Sequence, residues 1–253
     1  MPHFASILRR HEQSGVPFAN ALRQIMLDAS VGWYSRAAAA KLLAIADAES
    51  VLRALLNLFH AETEKNNLWE TALALETLGD RGAVGPLVHA LYDANPDRRH
   101  AAARALGWIH DAGPRAAKAL MRTLADHSQL QPVREEAAES LAYLHYAPSI
   151  PVLISALDEP DVRIRFWSTF ALGKIGQWQR GADAQIISAL ERALPDEEVP
   201  PSNWWSVGKE ALALLGQMEP KYSDHLRHET QRVLSDPHSS AEDLRWAQAN
   251  GDS

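Results

Sequence analysis

Few side chains in this sequence combine the residue types and the spacing that catalysis or metal binding requires. His225 and His228 lie three residues apart, so on one helix they could share a metal ion if a third ligand approached. The sequence has no cysteine, which excludes disulfides, iron–sulfur clusters and thiol nucleophiles. It also has no Gly-x-Ser-x-Gly elbow, phosphate-binding glycine loop or His-Glu-x-x-His run. We therefore predict no catalytic residue, no metal and no cofactor.

Aromatic and charged residues at four-residue spacing give a stronger indication, and it concerns binding. His100, Arg104 and Trp108 lie about one helical turn apart, so they share one face of a helix. Large aromatic residues and arginine at exposed positions are typical of the centre of a protein-binding surface. Two further sets have the same spacing, namely Glu135, Glu139 and Tyr143, and Phe166, Phe170 and Lys174.

An internal repeat must position these residues. Its clearest copies are residues 99–109, 134–144 and 165–175, each with small residues ahead of an anchor leucine. Relative to the anchor, apolar or small residues fall at −4, −3, −1, 0 and +3, which is one stripe of an α-helix. A second apolar run lies between anchors, so each repeat is predicted to be a helical hairpin. The anchors, 31 to 35 residues apart except before the last, are Leu43, Leu75, Leu106, Leu141, Leu172 and Leu215.

The repeat predicts an all-α fold of about six stacked helical hairpins, because one hairpin cannot cover its own apolar stripe. Positions −6, −2 and +2 point away from that stripe and are expected to be exposed. We expect residues 1–15 to cap the first hairpin and residues 16–235 to form a single repeat domain. Residues 236–253 are expected to form a C-terminal cap helix and tail.

The best copies, Ala105-Leu106-Gly107-Trp108-Ile109-His110-Asp111 and Ala171-Leu172-Gly173-Lys174-Ile175-Gly176, resemble HEAT repeats of the bilin-lyase (phycobilisome lyase) type. The resemblance spans roughly residues 33–218 and implies a right-handed α-solenoid of the armadillo type. It implies that the anchor-bearing helices line a concave face. It also implies that four arginines tie neighbouring repeats to acidic turn residues such as Asp93 and Asp158. These arginines are Arg36, Arg99, Arg134 and Arg165.

The concave face is the predicted partner site. The alternative interpretation is that Trp108, Phe166 and Phe170 fill gaps between helices, with Arg104 and Glu139 forming a solvated ion pair. The long interval before Leu215 inserts an acidic, proline-rich loop at 195–205, which either contacts a basic partner or plugs the core. The predicted partner-binding residues are Trp69, His100, Arg104, Trp108, Glu135, Glu139, Tyr143, Phe166, Phe170, Lys174, Trp204 and Trp205.

Charge separates the function classes. Residues 1–130 carry 14 lysines and arginines against 13 acidic residues, whereas residues 131–253 carry 11 against 19. Such an acidic half repels phosphate backbones and suits a basic partner, so nucleic acid is disfavoured. The dipeptides His100-Ala101 and Glu135-Glu136 also break the paired His-Glu pattern of the helical-repeat di-iron hydroxylases.

These observations favour a cytoplasmic, non-catalytic scaffold that binds another protein. No run of 18 apolar residues indicates a membrane span. One alternative stays open: a bilin-lyase-like protein in which the same aromatic residues hold a tetrapyrrole. A second and weaker alternative is a nucleic-acid-binding HEAT-like protein.

Overall fold

The computed structural model describes residues 18–28, 30–179, 183–201 and 205–251, and the predicted cap at 1–15 lies outside these residues. Two 3₁₀ turns, Arg81–Ala83 and Ala147–Ser149, accompany the α-helices of this described part. The α-helices are α1 (Phe18–Leu27), α2 (Trp33–Ala61), α3 (Lys65–Leu78), α4 (Val84–Ala90), α5 (Pro96–Trp108), α6 (Gly113–Ala125), α7 (Gln131–Leu144), α8 (Ile150–Ala156), α9 (Val162–Trp178), α10 (Ala184–Ala193), α11 (Val207–Met218), α12 (Pro220–Ser235) and α13 (Ala241–Asn250).

The predicted all-α fold class is confirmed, since the described residues form helical hairpins and no strand. The helix α2 bends at Asp47, whose backbone is not helical, so residues 33–46 and 48–61 belong to successive hairpins. We call the helices that carry the anchor leucines the anchor helices. They are the first part of α2 and then α3, α5, α7, α9 and α11. None of the helices in the described segments has the length and apolar character that a membrane crossing needs.

The anchor leucines and the small residues ahead of them form the core, as the sequence pattern predicted. Leu106, Leu141 and Leu172 are fully buried, and so are the alanines that precede them. Gly173, which follows an anchor, allows close helix packing because a Cβ there would overlap the side chain of Leu214 on the next anchor helix. Small residues thus let neighbouring helices approach, and the leucines fill the space between them.

The helices group into two compact units, which divide between Ala116 and Ala117. In the first unit, α3 packs against α2 and against α5. In the second unit, α9 packs against α7 and α11, and α13 packs against α12. Trp246 of α13 is completely buried there among Leu212, Leu226 and Val233. Consecutive anchor helices within a unit are therefore neighbours, which brings their side chains into contact.

Two of the four predicted inter-repeat arginines share one pattern of contacts. Arg36 and Arg134 are buried, and each donates Nε to the carbonyl oxygen ten residues earlier, at 3.1 and 2.8 Å. Their terminal nitrogens form ion pairs with Glu70 and Glu159, which lie 34 and 25 residues farther along the chain. A guanidinium group satisfies both a helix-end carbonyl and a carboxylate because it carries five donors.

In the third hairpin Arg98, and not the neighbouring Arg99, forms the ion pair with Asp93. Arg98 is 9% exposed and donates Nε to the carbonyl oxygen of Phe59 at 3.2 Å. Its Nη1 contacts Oδ1 of Asp93 at 2.8 Å. Arg99 folds back onto its own turn and donates to the carbonyl oxygens of Asp93 and Ala94. The implied role of Arg99 is therefore corrected by one position, because the residue before it points into the joint between repeats.

Arg165 binds the acidic loop and not Asp158, which is exposed. Its Nε lies 2.7 Å from Oδ2 of Asp196, and its Nη2 lies 2.6 Å from Oε2 of Glu198. The hydrogen bond to Asp196 is the main reason why the pKa of Arg165 is raised above its ordinary value. Arg165 thus holds the start of the loop at 195–205 against α9.

Candidate functional site

The anchor helices of the first unit bring four of the predicted binding residues together. Asn95 caps α5 by accepting a hydrogen bond from the backbone of Asp97, and the helix then presents His100, Arg104 and Trp108 at successive turns. The guanidinium carbon of Arg104 lies 4.7 Å from the centre of the Trp69 ring on α3 and 5.3 Å from that of Trp108. We call the set of Trp69, His100, Arg104 and Trp108 the tryptophan–arginine cluster.

This cluster is preorganised yet accessible. The ring of His100 lies 5.3 Å from that of Trp69, tilted by 41°. Nε of Arg104 lies 3.7 Å from Oε2 of Glu76, and both side chains are about four-fifths buried. Trp108, by contrast, is 37% exposed. An arginine stacked on two indole rings loses little further freedom when a partner arrives, so the exposed indole is held ready for contact.

The anchor helices of the second unit carry another cluster of aromatic residues. Phe170 of α9 lies at its centre, 6.3 Å from the ring of Tyr143 on α7 and 5.6 Å from the ring of Trp167. Phe166 packs edge-on against Trp167 at 5.4 Å, and Nζ of Lys174 lies 5.2 Å from the Phe170 ring centre. We call Tyr143, Phe166, Trp167, Phe170 and Lys174 the aromatic cluster.

Two predicted binding residues in the second unit are buried, so their expected exposure is wrong. Phe166 is only 6% exposed because the neighbouring helices cover its ring. Glu135 is 8% exposed and accepts hydrogen bonds from Gln131 at 2.9 Å and Arg163 at 3.2 Å. Burial raises the pKa of Glu135, and these two hydrogen bonds partly offset the shift. Glu135 therefore links α7 to α9. Glu139, Tyr143, Phe170 and Lys174 are partly exposed.

The loop at 195–205 is held to the core at its end. The indole nitrogen of Trp205 donates a 2.6 Å hydrogen bond to Oε2 of Glu210. Glu210 is buried, which raises its pKa, and the bond from Trp205 acts in the opposite direction. Trp205 also packs against the cluster around Trp246, which supports the interpretation that it closes the core. Trp204, the other predicted binding residue of this loop, lies outside the described residues.

The sequence pattern missed two features of the second unit. Arg163 contacts Glu135, although its position outside the repeat's conserved spacing gave no signal for this pair. His145 has a left-handed backbone (φ 47°) after α7 and stacks on Trp178, with ring centres 4.4 Å apart. Burial lowers the pKa of His145, and Lys174 adds a smaller effect in the same direction. Trp178 lies three residues after the +3 position, past the apolar stripe of the repeat. The repeat pattern therefore gave no indication of its contact with His145.

The side chains of the two clusters can form several kinds of non-covalent contact. Among the described residues, no three histidine, aspartate or glutamate side chains are grouped so that they could hold a metal ion. The tryptophan–arginine cluster and the aromatic cluster offer aromatic faces and cations, and Glu139 adds a partly exposed carboxylate on α7. Such groups recognise a partner surface through stacking, ion pairs and hydrogen bonds.

Comparison with known proteins assigns the repeat. The sequence profile of HEAT repeats matches residues 52–142 and 127–202, which together span more than half of the chain. The predicted HEAT resemblance is thereby confirmed. No curated protein sequence gives a significant match.

Similar solved structures agree on the fold. A chain of the CpcE–CpcF complex of phycocyanin lyase from Nostoc sp. is 18% identical, with 92% of this chain and 93% of that chain covered and a TM-score of 0.51. Kap121p is 14% identical, with a TM-score of 0.58, and Kap95p in complex with RanGDP is 16% identical, with a TM-score of 0.52. The matches cover 92% of this chain but only 28% of Kap121p and 35% of Kap95p. At these identities the likeness concerns the helical-repeat fold alone.

Proposed function

The chain belongs to the HEAT-repeat family, and from that premise we propose that it is a non-catalytic module that binds another protein through its anchor helices. The observation that carries the proposal is the tryptophan–arginine cluster, in which Arg104 lies between Trp69 and Trp108. Tryptophan and arginine dominate the residues whose truncation costs the most binding free energy at protein interfaces. Here both types lie side by side at the surface.

The cluster also has the rigidity that strong binding requires. Arg104 is fixed by two aromatic rings and by Glu76, so ordering its side chain adds little entropic cost on binding. The exposed part of Trp108 supplies apolar area that a partner can bury. Each fully truncated anchor of this kind is worth on the order of 2 kcal/mol or more.

The second unit supplies a different contact. Tyr143, Phe170 and Lys174 are partly exposed, and Glu139 lies on the same helix as Tyr143. The 19 acidic residues of the chain after position 130, against 11 basic ones, favour a partner with a basic surface. We propose that these residues form a second contact surface, suited to a basic partner.

The test uses the whole chain as an affinity bait, followed by binding constants for each purified protein that it captures. Three baits are compared: the unaltered chain, Trp108→Ala and the control Tyr92→Ala. Tyr92 is 58% exposed and follows α4, away from the anchor helices, so it removes a comparable aromatic surface elsewhere. We expect Trp108→Ala to raise the Kd of the genuine partner by about 30-fold, since a central anchor is lost. Tyr92→Ala should leave the Kd nearly unchanged.

The proposal is overturned if every captured protein binds the unaltered chain and Trp108→Ala equally well. Circular dichroism and thermal unfolding of each bait establish that the helices remain intact. The double variant Trp108→Ala with Phe170→Ala extends the comparison to both clusters. Its effect should exceed that of Trp108→Ala if the partner contacts the second unit as well.

A second candidate function is the handling of a linear tetrapyrrole. The observation that favours it is the match to a phycocyanin lyase chain over 93% of that chain's length, whereas the karyopherins match over about a third or less. Aromatic faces such as those of Tyr143 and Phe170 suit a flat conjugated ligand. Titration of the chain into biliverdin, followed by its visible spectrum, separates the two functions. An unchanged spectrum rejects this candidate and leaves protein binding untouched.

A further inference from the structure

A cavity of about 420 Å³ opens beside the N-terminal turn of α2. Its floor consists of Ala37 and Ala38, whose short side chains leave the space empty. Trp33 and Tyr34 form one wall, with ring centres 5.4 Å apart and exposed fractions of 39% and 59%. The remaining lining residues are Ser35, Lys41 and Thr77. The volume lies in the range of about 300–1,000 Å³ that is usual for small-ligand sites.

The polar groups of this lining favour an anion. The indole of Trp33, the hydroxyls of Tyr34, Ser35 and Thr77, and the ammonium of Lys41 can all donate hydrogen bonds. Among the described residues, the lining includes one cation and no carboxylate or amide side chain. Lys41 is exposed, and within the part of the chain that the structure describes it forms no ion pair. A ligand carboxylate would therefore meet a cation that has no competing ion-pair partner among the described residues.

The helix geometry adds positive potential at the same place. Trp33, Tyr34 and Ser35 are the first turn of α2, and Gly32 at the N-cap offers no side-chain acceptor to that turn. The N-terminal end of a helix carries a partial positive charge, which stabilises a nearby anion. Long side chains on a helix lean toward its N-terminus, so Lys41 is directed over the alanines at the floor.

We propose that this cavity binds a small aliphatic monocarboxylate, with its carboxylate near Lys41 and its hydrocarbon chain against Trp33 and Tyr34. The two aromatic rings and the alanine floor supply the apolar surface that a hydrocarbon chain requires. The charge of Lys41 then selects an anionic head over a neutral or cationic one. This site shares no residue with the tryptophan–arginine cluster, so the proposal does not depend on the protein-binding function.

Isothermal titration calorimetry on the whole chain tests the inference with three probes. Sodium decanoate combines the hydrocarbon chain with the carboxylate, decyltrimethylammonium has the same chain with the opposite charge, and acetate has the charge alone. All are used below their micellar concentrations. We expect saturable binding of one decanoate per chain, with affinity for the other two probes at least tenfold lower. Equal binding of the decanoate and the ammonium probe would overturn the proposal.

Matched variants locate the binding. Lys41→Gln removes the cation and with it a charge-assisted hydrogen bond to the ligand. Ala38→Leu fills the cavity and removes the apolar contact with the hydrocarbon chain. Each change should weaken decanoate binding about tenfold or more. Lys118→Gln makes the same charge change at an exposed lysine of α6 and should leave the Kd unchanged. Decanoate binding that survives both Lys41→Gln and Ala38→Leu places the ligand elsewhere and refutes the site. Lys41→Gln alters only an exposed side chain, so it decides the matter even if Ala38→Leu disturbs folding.

Discussion

The helices α5 and α9 place side chains at the same three repeat positions, one in each unit, yet they use them differently. In α5 the first of the three, His100, is partly exposed, and the last, Trp108, is 37% exposed and stacks on Arg104. In α9 the first is Phe166, which is 6% exposed and packs against Trp167. A repeat position fixes the direction in which a side chain leaves its helix. The neighbouring side chains decide whether it ends in solvent or in the core.

Carboxylates of the two units also differ in the direction in which their pKa values are shifted. In the first unit, the pKa of Asp28 is lowered, mainly by hydrogen bonding from Ser30, and the pKa of Glu62 is lowered, mainly by the backbone N–H of Glu64. In the second unit, burial raises the pKa of both Glu135 and Glu210. Glu135 and Glu210 of the second unit are therefore buried carboxylates, whereas Asp28 and Glu62 of the first unit lie nearer the surface.

The largest expected effect tests the difference in burial directly. Phe166→Ala should destabilise the chain by about 3–5 kcal/mol, because it leaves a cavity among packed helices. Trp108→Ala should cost only about 1 kcal/mol, since much of its ring already faces water. Urea unfolding of both variants, followed by circular dichroism, measures the two free energies. Equal losses would show that the two positions are packed alike and would remove the contrast between α5 and α9.

The core of both units was predictable from the sequence because burial there depends on helical periodicity alone. The anchors, such as Leu106 and Leu172, are fully buried where the stripe placed them. In a stack of helices, a leucine next to small residues is favoured in the buried space between neighbouring helices. The periodic pattern was therefore sufficient to predict the all-α fold.

The polar contacts were less predictable because they depend on distances between repeats. The resemblance implied that Arg99 ties neighbouring repeats, but Arg98 makes the contacts between them, since successive residues on a helix point about 100° apart. Glu135 was expected at the surface, yet it is buried and accepts a hydrogen bond from Arg163 on the next anchor helix, α9. Neither outcome can be derived from periodicity, which locates a face of a helix and not its neighbour.

A smaller effect is expected at the cation between the two tryptophans. Arg104→Gln removes the stacking on Trp69 and Trp108, and we expect a loss of about 1 kcal/mol in the free energy of unfolding. Lys174→Gln, which removes a single cation–π contact with Phe170 in the second unit, should cost about half as much. Urea unfolding measures both losses, and tryptophan fluorescence should change only in Arg104→Gln if the arginine contacts the indole rings. A larger loss of unfolding free energy for Lys174→Gln than for Arg104→Gln would contradict the prediction that the tryptophan–arginine cluster is the more rigidly organised of the two clusters.

The smallest structural change, Glu210→Gln, tests the buried charge of the second unit. Glutamine keeps the volume and the oxygen that accepts from Trp205, so only the ionisation is removed. Because burial raises the pKa of Glu210 above its ordinary 4.5, the folded chain holds its proton at pH values where the unfolded chain has lost it. The folded state then binds more protons, and stability falls as the pH rises through this interval. Above the raised pKa of Glu210, the folded chain bears the full free-energy cost of its buried carboxylate. Glu210→Gln carries no such charge and should therefore be more stable than the unaltered chain there.

The matched change Glu62→Gln should alter the free energy of unfolding at neutral pH in the opposite direction to Glu210→Gln. Hydrogen bonding lowers the pKa of Glu62, so its charged form contributes stability above pH 4.5 that is lost as the pH falls through the lowered value. Glu62→Gln should therefore be less stable than the unaltered chain at neutral pH, and the difference should vanish in acid. Urea unfolding from pH 3 to pH 8 measures both differences. If the two variants shift stability in the same direction at neutral pH, Glu210 is not held in a desolvated site, and the contrast between surface and buried carboxylates is wrong.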